Sequence, residues 1–585
     1  MLINKSNCLY RCSARPMMKN KEKVIVIGFD GITFNLVKPW VKAGKLPAFA
    51  RLMEEGCYGD LKSTPDMMSP SAWTSFATGT NAGKHRIYNF LDLVPNTLQM
   101  RYLNSTHRAS KALWTLLNEC GKKTGVLGVP MTYPADKVDG FMTSGWNAPT
   151  INSAGYSHPP ELIDELVKIY GDYPLFPMVK KHIVEGRPNL AIESIRTGLE
   201  IHAKASKHLM KTREWDLLIA FFIATDQVQH YFWHYMDPLH PAHKKDAPAE
   251  CRDAIFNVYK RCDEIIADLT DNFTNDATVI VMSDHGNGRN HGAVQYLPNW
   301  LTAMGFAKDK SVSGSTNPLK IPLVWVKKSI AGVLKAVYNQ MNKRLSMKMK
   351  GQLNKLLPGL RDKVESTWRF SALDWPKTKI FFHYEPRINL KGREPFGIVS
   401  PGQEYEELRD LLIKKLYECT DPKTGDKVVE RVYKREEVYS GDHIGEGPDI
   451  VIWWKEGVVL SGLRCTRPDG TVVTVTEKHI PDARTGNHLP YGVMLARGRH
   501  IRKGVEVKGA ELIDLAPTIL HLMGAPVPDE MDGKVLTGLL TDGFLKDNPV
   551  KHSRNKIDKS GGDGDYTESD GDKVKEHLKA LGYME

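Results

Sequence analysis

The chain has 585 residues, 41% hydrophobic and 25% charged, with 80 Lys and Arg against 69 Asp and Glu for a formal net charge of +11. That length exceeds what one simple core supports, and the composition is that of a folded globular protein, which excludes a wholly disordered or fibrous chain. Eight scattered cysteines without a CxxC pair exclude a Cys-based zinc site and a disulfide framework, and no run reaches the roughly 18 apolar residues of a membrane span.

Residues 1–22 are basic and lack an apolar signal core, so they read as a disordered leader. From Lys23 the run Val24-Ile25-Val26-Ile27-Gly28-Phe29 is a buried-strand pattern that stops on Asp30 and Gly31. Next comes Met68-Ser69-Pro70-Ser71-Ala72-Trp73-Thr74, where Ser69 before a proline predicts a helix N-cap. A hydroxyl there faces free backbone N–H groups, which suits a phosphate, and a plain capping role fits the same residues. A second apolar run, Leu217 to Phe222, leads to Asp226, and His230 follows four residues later. If Thr225 caps a helix, Asp226 and His230 share one face and can share one cation. A third run, Thr278-Val279-Ile280-Val281-Met282, ends in Ser283-Asp284-His285-Gly286.

Each acid taken singly could simply cap the helix after its strand. Together they differ, because ligands gather beyond the carboxyl ends of parallel strands. Three carboxylates crowded on one sheet edge repel one another, and a cation is the economical remedy.

Residues 23–308 therefore read as the first part of an α/β core, and residues 309–368 as a basic helical insertion or cap. Between Lys320 and Arg361 stand ten Lys or Arg and no acid, with Val324, Leu334, Val337, Met341 and Leu345 near helical spacing. That segment is either a solvated basic cap or a surface for an anionic membrane. Specific nucleic-acid binding is not expected, because no stacking-aromatic motif accompanies the charge. The α/β pattern resumes over 369–540, including the strand-like run Ile450 to Trp454, and 541–585 reads as a flexible tail with a short terminal helix. Cysteine usage points to a reduced, cytoplasmic protein, free or peripheral to a membrane.

The motifs Gly28-Phe29-Asp30-Gly31, Ser69-Pro70-Ser71-Ala72-Trp73, Asp226-Gln227-Val228-Gln229-His230, Ser283-Asp284-His285-Gly286, Gly486-Asn487-His488 and Asp514-Leu515-Ala516-Pro517 occur in this order. In that set the sequence resembles the alkaline phosphatase superfamily, and within it the type I phosphodiesterase/nucleotide pyrophosphatase family. The resemblance implies a three-layer α/β/α core with a mainly parallel central sheet. It implies two divalent metal ions, Zn²⁺ first and Mn²⁺ second given mixed Asp and His ligands. One would be held by Asp30, Asp284, His285 and the nucleophile Ser69, the other by Asp226, His230 and His488. Only the resemblance selects His488, and His291 is its rival. It also suggests Asn89 as a substrate contact, one residue off the family's spacing; Lys84 and Arg393 read more readily as solvated surface charges than as anion contacts.

The implied activity is hydrolysis of a phosphodiester or nucleotide pyrophosphate, a small phosphate-ester substrate, through a phosphoserine at Ser69. A phosphotransferase or phosphomonoesterase of the same superfamily is the alternative. A non-catalytic metal protein that binds anionic membranes or polyanions through residues 320–361 is the rival from another class. Sulfatase chemistry is disfavoured, because Ser69-Pro70-Ser71-Ala72-Trp73 lacks the x-Pro-x-Arg sequence that formylglycine formation needs.

Overall fold

The computed structural model describes residues 22–271, 277–310, 370, 372–479, 483–554, 556–557 and 564–582. The leader before Glu22 and the basic stretch 320–361, with its proposed membrane face, lie outside the described residues. Among those described, no helix is long and apolar enough to cross a membrane.

The centre is a ten-stranded sheet. Its middle strands are β1 (Lys23–Phe29), β2 (Thr124–Leu127), β3 (Gly140–Thr143), β4 (Leu217–Phe222) and β5 (Ala277–Met282). They run parallel in the order β5, β1, β4, β2, β3. A short antiparallel pair, β6 (Gly286–Arg289) with β7 (Gly486–Leu489), forms a sheet of its own. Directly after it in the chain, antiparallel β8 (Tyr491–Arg497) extends the β5 side of the central sheet. The alternation of β1 explains why both faces are covered. Ile25, Ile27 and Phe29 enter one hydrophobic cluster, and Val24 and Val26 enter another on the opposite face. Helices α2 (Pro188–Thr212), α3 (Ala224–Met236) and α4 (Ala254–Thr270) supply the first cluster. Helices α1 (Ser69–Thr78), α6 (Leu515–Leu522) and α7 (Glu568–Leu581) supply the second. The fold is thus the three-layer α/β/α arrangement with a mainly parallel sheet.

Two details differ from the sequence reading. Ile450–Trp454 does not join the central sheet; it pairs antiparallel with Val429–Lys434. With helix α5 (Gln403–Glu418) these strands build a separate hydrophobic cluster that also takes in Trp300 and Leu463. The chain beyond Asp547 is also more engaged than a flexible tail. His552–Ser553 pairs with Val527–Pro528, Ile557 is buried, and the Tyr566 ring stacks on Tyr133 at 5.7 Å. The terminal helix starts at Glu568, earlier than its apolar residues suggest, because Thr567 caps it by accepting from the Asp570 amide.

Candidate active site

All three acid-tipped strands, β1, β4 and β5, are neighbours in the sheet and point the same way. Their carboxyl ends therefore deliver Asp30, Asp226 and Asp284 to one edge. Asp226 does not sit where a Thr225 cap would put it. Ile223 takes the N-cap position of α3, and Thr225 lies inside the helix with its hydroxyl donating to the Asp30 carbonyl. The helix still sets Asp226 and His230 one turn apart, with His230 Nε2 3.0 Å from Asp226 Oδ1. His488 arrives from β7, whose pairing with β6 sets Asn287 and His488 opposite each other. His291 joins neither group; its Nδ1 accepts from the Ala293 amide.

The side chains form two buried trios, Asp30, Asp284, His285 and Asp226, His230, His488. In the first, His285 Nε2 stands 3.3 Å from Asp30 Oδ1 and 3.4 Å from Asp284 Oδ2. In the second, His488 Nε2 stands 3.2 Å from His230 Nε2 and 3.6 Å from Asp226 Oδ1. The trios touch where the His285 and His488 rings stack at 3.7 Å.

The residues fit divalent cations on three counts. First, all three histidines donate Nδ1–H to a backbone carbonyl: His230 to Gly486 at 2.8 Å, His285 to Gly286 at 2.9 Å and His488 to Met67 at 2.7 Å. That leaves Nε2 of each ring as the inward nitrogen, the one that could ligate a cation. Second, Asp30 Oδ1, Asp284 Oδ2 and His285 Nε2 are buried without a well-formed hydrogen bond, a costly state unless a cation joins them. Third, two ligands about 2.0–2.1 Å from a tetrahedral ion lie about 3.3 Å apart. The distances of 3.0–3.6 Å in the two trios bracket that edge length.

Electrostatics separate the trios. Burial raises Asp30, and the nearby Asp226 charge adds to it. Burial together with Asp30 pushes Asp284 far above the usual carboxylate range. Burial alone would lower His285, but Asp284 and Asp30 outweigh it and push the imidazole up to about 10. In the second trio, burial would raise Asp226, yet His230 and His488 hold it well below its ordinary value. Burial and the neighbouring His285 drop His488 to about 3.

Ser69 is the first helical residue of α1; Met68 takes the N-cap position predicted for the serine. The shift follows from Pro70, which is comfortable at the second helical position and leaves room for one residue before it. Ser69 is fully buried, and its Oγ has no hydrogen-bond partner. Two contacts bracket it. One turn later Trp73 Nε1 donates to Asp30 Oδ2 at 3.3 Å. Two residues earlier Met67 holds a left-handed φ of 52° and offers its carbonyl to His488. A non-glycine residue in that region stores strain, the kind found beside reacting groups. Gly28 is required here, because a Cβ on it would sit 2.5 Å from the Trp73 ring.

The remaining candidates have other positions. Asn89 stands outside both trios, with its Oδ1 accepting from the Phe90 amide at 2.7 Å. Lys84 is engaged by Asp532 at 2.6 Å and Arg393 by Asp449 at 2.7 Å, so neither is a free anion contact. Sequence reasoning passed over Asn287, whose Nδ2 lies 3.4 Å from Asp226 Oδ1, and Trp73. The one available signal was the helical spacing of Trp73 from Ser69.

The parallel sheet edge thus carries three carboxylates and three imidazoles in two groups that could each hold a metal ion. The chain belongs to the type I phosphodiesterase / nucleotide pyrophosphatase family, whose model matches residues 24–469. That span holds every predicted ligand except His488. Its activity class is accordingly hydrolysis of phosphodiester or pyrophosphate substrates. Among solved structures, human ectonucleotide pyrophosphatase / phosphodiesterase 5 is similar at 14% identity and a TM-score of 0.44, over 90% of this chain and 99% of that one. The murine protein of that name, an inactive T72A form in complex with AMP, is similar at 14% identity and a TM-score of 0.40, covering 90% and 99%. Phosphonoacetate hydrolase from Sinorhizobium meliloti 1021, in complex with phosphonoformate, is similar at 14% identity and a TM-score of 0.48, covering 86% and 96%. No curated protein matches the chain.

Proposed function

We propose that the chain cleaves a phosphodiester or nucleotide pyrophosphate by covalent catalysis at Ser69, with Asp30, Asp284 and His285 holding one divalent cation and Asp226, His230 and His488 another. The observation that carries this reading is the pair of buried trios, tied by the Trp73–Asp30 and His488–Met67 hydrogen bonds to the segment that holds the buried, unpartnered Ser69 hydroxyl. Two cations, Zn²⁺ before Mn²⁺ for these nitrogen and oxygen ligands, would supply Lewis-acid stabilisation of charge on the phosphoryl oxygens.

The protein's own residues do the rest. Ser69 Oγ attacks phosphorus, the Ser–O–P bond forms, and the leaving oxygen departs on the opposite side. Water then attacks the same phosphorus and returns the serine. Placing Ser69 at the start of α1 aims the free amides of the first helical turn at the developing negative charge. Trp73 and Met67 position the machinery around the serine, the first by holding Asp30 and the second by holding His488. Asn89 is offered as a phosphoryl-oxygen donor through Nδ2, its Oδ1 being engaged by Phe90.

The test compares wild type with Ser69→Ala on a bis-aryl phosphodiester, a dinucleotide pyrophosphate and a monoester, each with Zn²⁺ or Mn²⁺. The reading expects loss of turnover in the variant and preference for the first two substrates. Unchanged turnover by Ser69→Ala overturns the nucleophile. A dominant monoesterase rate overturns the substrate class.

A further inference from the structure

Away from the active site, the separate hydrophobic cluster around α5 brings two cysteines face to face. Cys419 follows the last residue of α5, where the helix gives way to extended backbone with φ −60° and ψ 138°. Cys465 lies on the strand Leu463–Thr466. Thr420 and Arg464 between them exchange both backbone hydrogen bonds, N to O at 2.9 and 2.8 Å, as an antiparallel bridge. The next pair outward, Cys419 and Cys465, is then a non-hydrogen-bonded pair. Such pairs bring Cα atoms to about 4.5 Å with side chains on one face, inside the range of about 4.4–6.8 Å that a disulfide spans.

The thiols themselves agree with the register. Both donate to one acceptor, the Lys415 carbonyl at the frayed end of α5, Cys419 Sγ at 3.4 Å and Cys465 Sγ at 3.2 Å. Both are buried, at 0% and 4% exposure, so a single carbonyl serves two weak donors where one would suffice. A contact with the Cys419 thiol lowers Cys465 from its ordinary value. Hydrogen bonding to that same neighbour, with burial, pushes Cys419 well up. Of the two thiols Cys465 is therefore the readier to ionise and attack, and Cys419 the one that holds its proton longer.

We infer that Cys419 and Cys465 are a built-in dithiol that closes to a reversible disulfide, stapling the end of α5 to the strand Leu463–Thr466. The oxidant is a low-molecular-weight disulfide such as glutathione disulfide. The Cys465 thiolate attacks one of its sulfurs, forming a mixed disulfide and releasing one thiolate. Cys419 then loses its proton and attacks the Cys465 sulfur, releasing the second thiol. The protein gives up two protons and two electrons, and the glutathione disulfide takes them as two thiols. All six described cysteines, Cys419 and Cys465 included, are free thiols in this structure.

The experiment uses the full chain, equilibrated for hours in glutathione disulfide just below its melting transition, where native openings admit the reagent. Samples are denatured in N-ethylmaleimide and digested without reductant. The expected product is a peptide pair joined through Cys419 and Cys465, reopened by dithiothreitol, with the oxidised chain melting above the reduced one. C419S and C465S give no cross-link, and each leaves the surviving cysteine alkylated or carrying glutathione. Recovery of both thiols free in the wild type, glutathione held stably on one beside a free partner, or a linked chain that melts lower would each overturn the inference. The wild-type readout stands whether or not the serine variants fold.

Discussion

The two ligand trios are built from the same residue types and meet at a 3.7 Å ring stack, yet they are electrostatic opposites. The first sets two carboxylates against one imidazole, and the carboxyls of both Asp30 and Asp284 are raised by burial. The second sets one carboxylate between two imidazoles, and Asp226 is held far below its ordinary range despite its burial. A trio with two raised carboxyls would gain more from a cation than one whose carboxylate is already held low by imidazoles. The difference teaches where the cost of assembling this site lies: it is concentrated at the end of β1 and β5, beside Trp73 and Ser69.

The largest effect that separates the trios comes from removing one charge from each. Asp284→Asn and Asp226→Asn should each lower turnover about 10³-fold, the several kcal/mol that a lost cation contributes. Their metal-free melting temperatures should move in opposite directions. Asp226→Asn breaks a buried pairing and costs about 3 kcal/mol, while Asp284→Asn removes one of two buried carboxyls that burial and neighbouring carboxylates raise, and stabilises. Differential scanning calorimetry in chelator decides this; shifts of the same sign would erase the distinction between the trios.

A second, smaller contrast is in protons. Without a cation, His285 stays protonated up to about 10 and Asp284 is raised, so filling the first trio expels protons. Its affinity should climb through neutral pH, about tenfold per unit for each proton released. In the second trio Asp226 is held low and His488 sits at about 3, so neither has a proton to expel near neutrality and affinity there should climb less steeply. Calorimetric titration in buffers of different ionisation enthalpy reads the difference. The same shift has a stability consequence with a definite sign. His285 is raised above its unfolded value of 6.5, so its contribution in the metal-free chain is full below that value and is lost as pH rises through about 10.

The smallest effects test the supporting side chains. Trp73→Phe removes the donor to Asp30, and Asn287→Ala the amide beside Asp226. Each should weaken binding about tenfold at its own trio and leave the other unchanged. Metal content after graded dialysis measures both.

How far the sequence reveals this site depends on how each residue arrives. Asp30, Asp226 and Asp284 were legible because buried parallel strands are continuous apolar runs, and the polar residue that ends such a run stands on the sheet edge. His230 was legible through helical spacing alone, even though Thr225 turned out to be interior to α3 and bound to the Asp30 carbonyl. His488 was not legible locally. It is placed by the antiparallel pairing of Gly286–Arg289 with Gly486–Leu489, a long-range register that no nearby pattern encodes. Ile450–Trp454 shows the opposite failure: the same kind of apolar run serves a small antiparallel pair outside the sheet, since periodicity cannot tell which sheet a buried strand joins.

The central claim is that Ser69 carries the phosphoryl group, and it is tested most directly by acid-quenching turnover of a bis-aryl phosphodiester and mapping the peptides by mass. The account predicts an aryl-phosphoryl adduct on the peptide containing Ser69, formed with Zn²⁺ or Mn²⁺ present, missing in chelator and missing in Ser69→Ala. Full turnover with no adduct on that peptide, or an adduct that persists in Ser69→Ala, would contradict it.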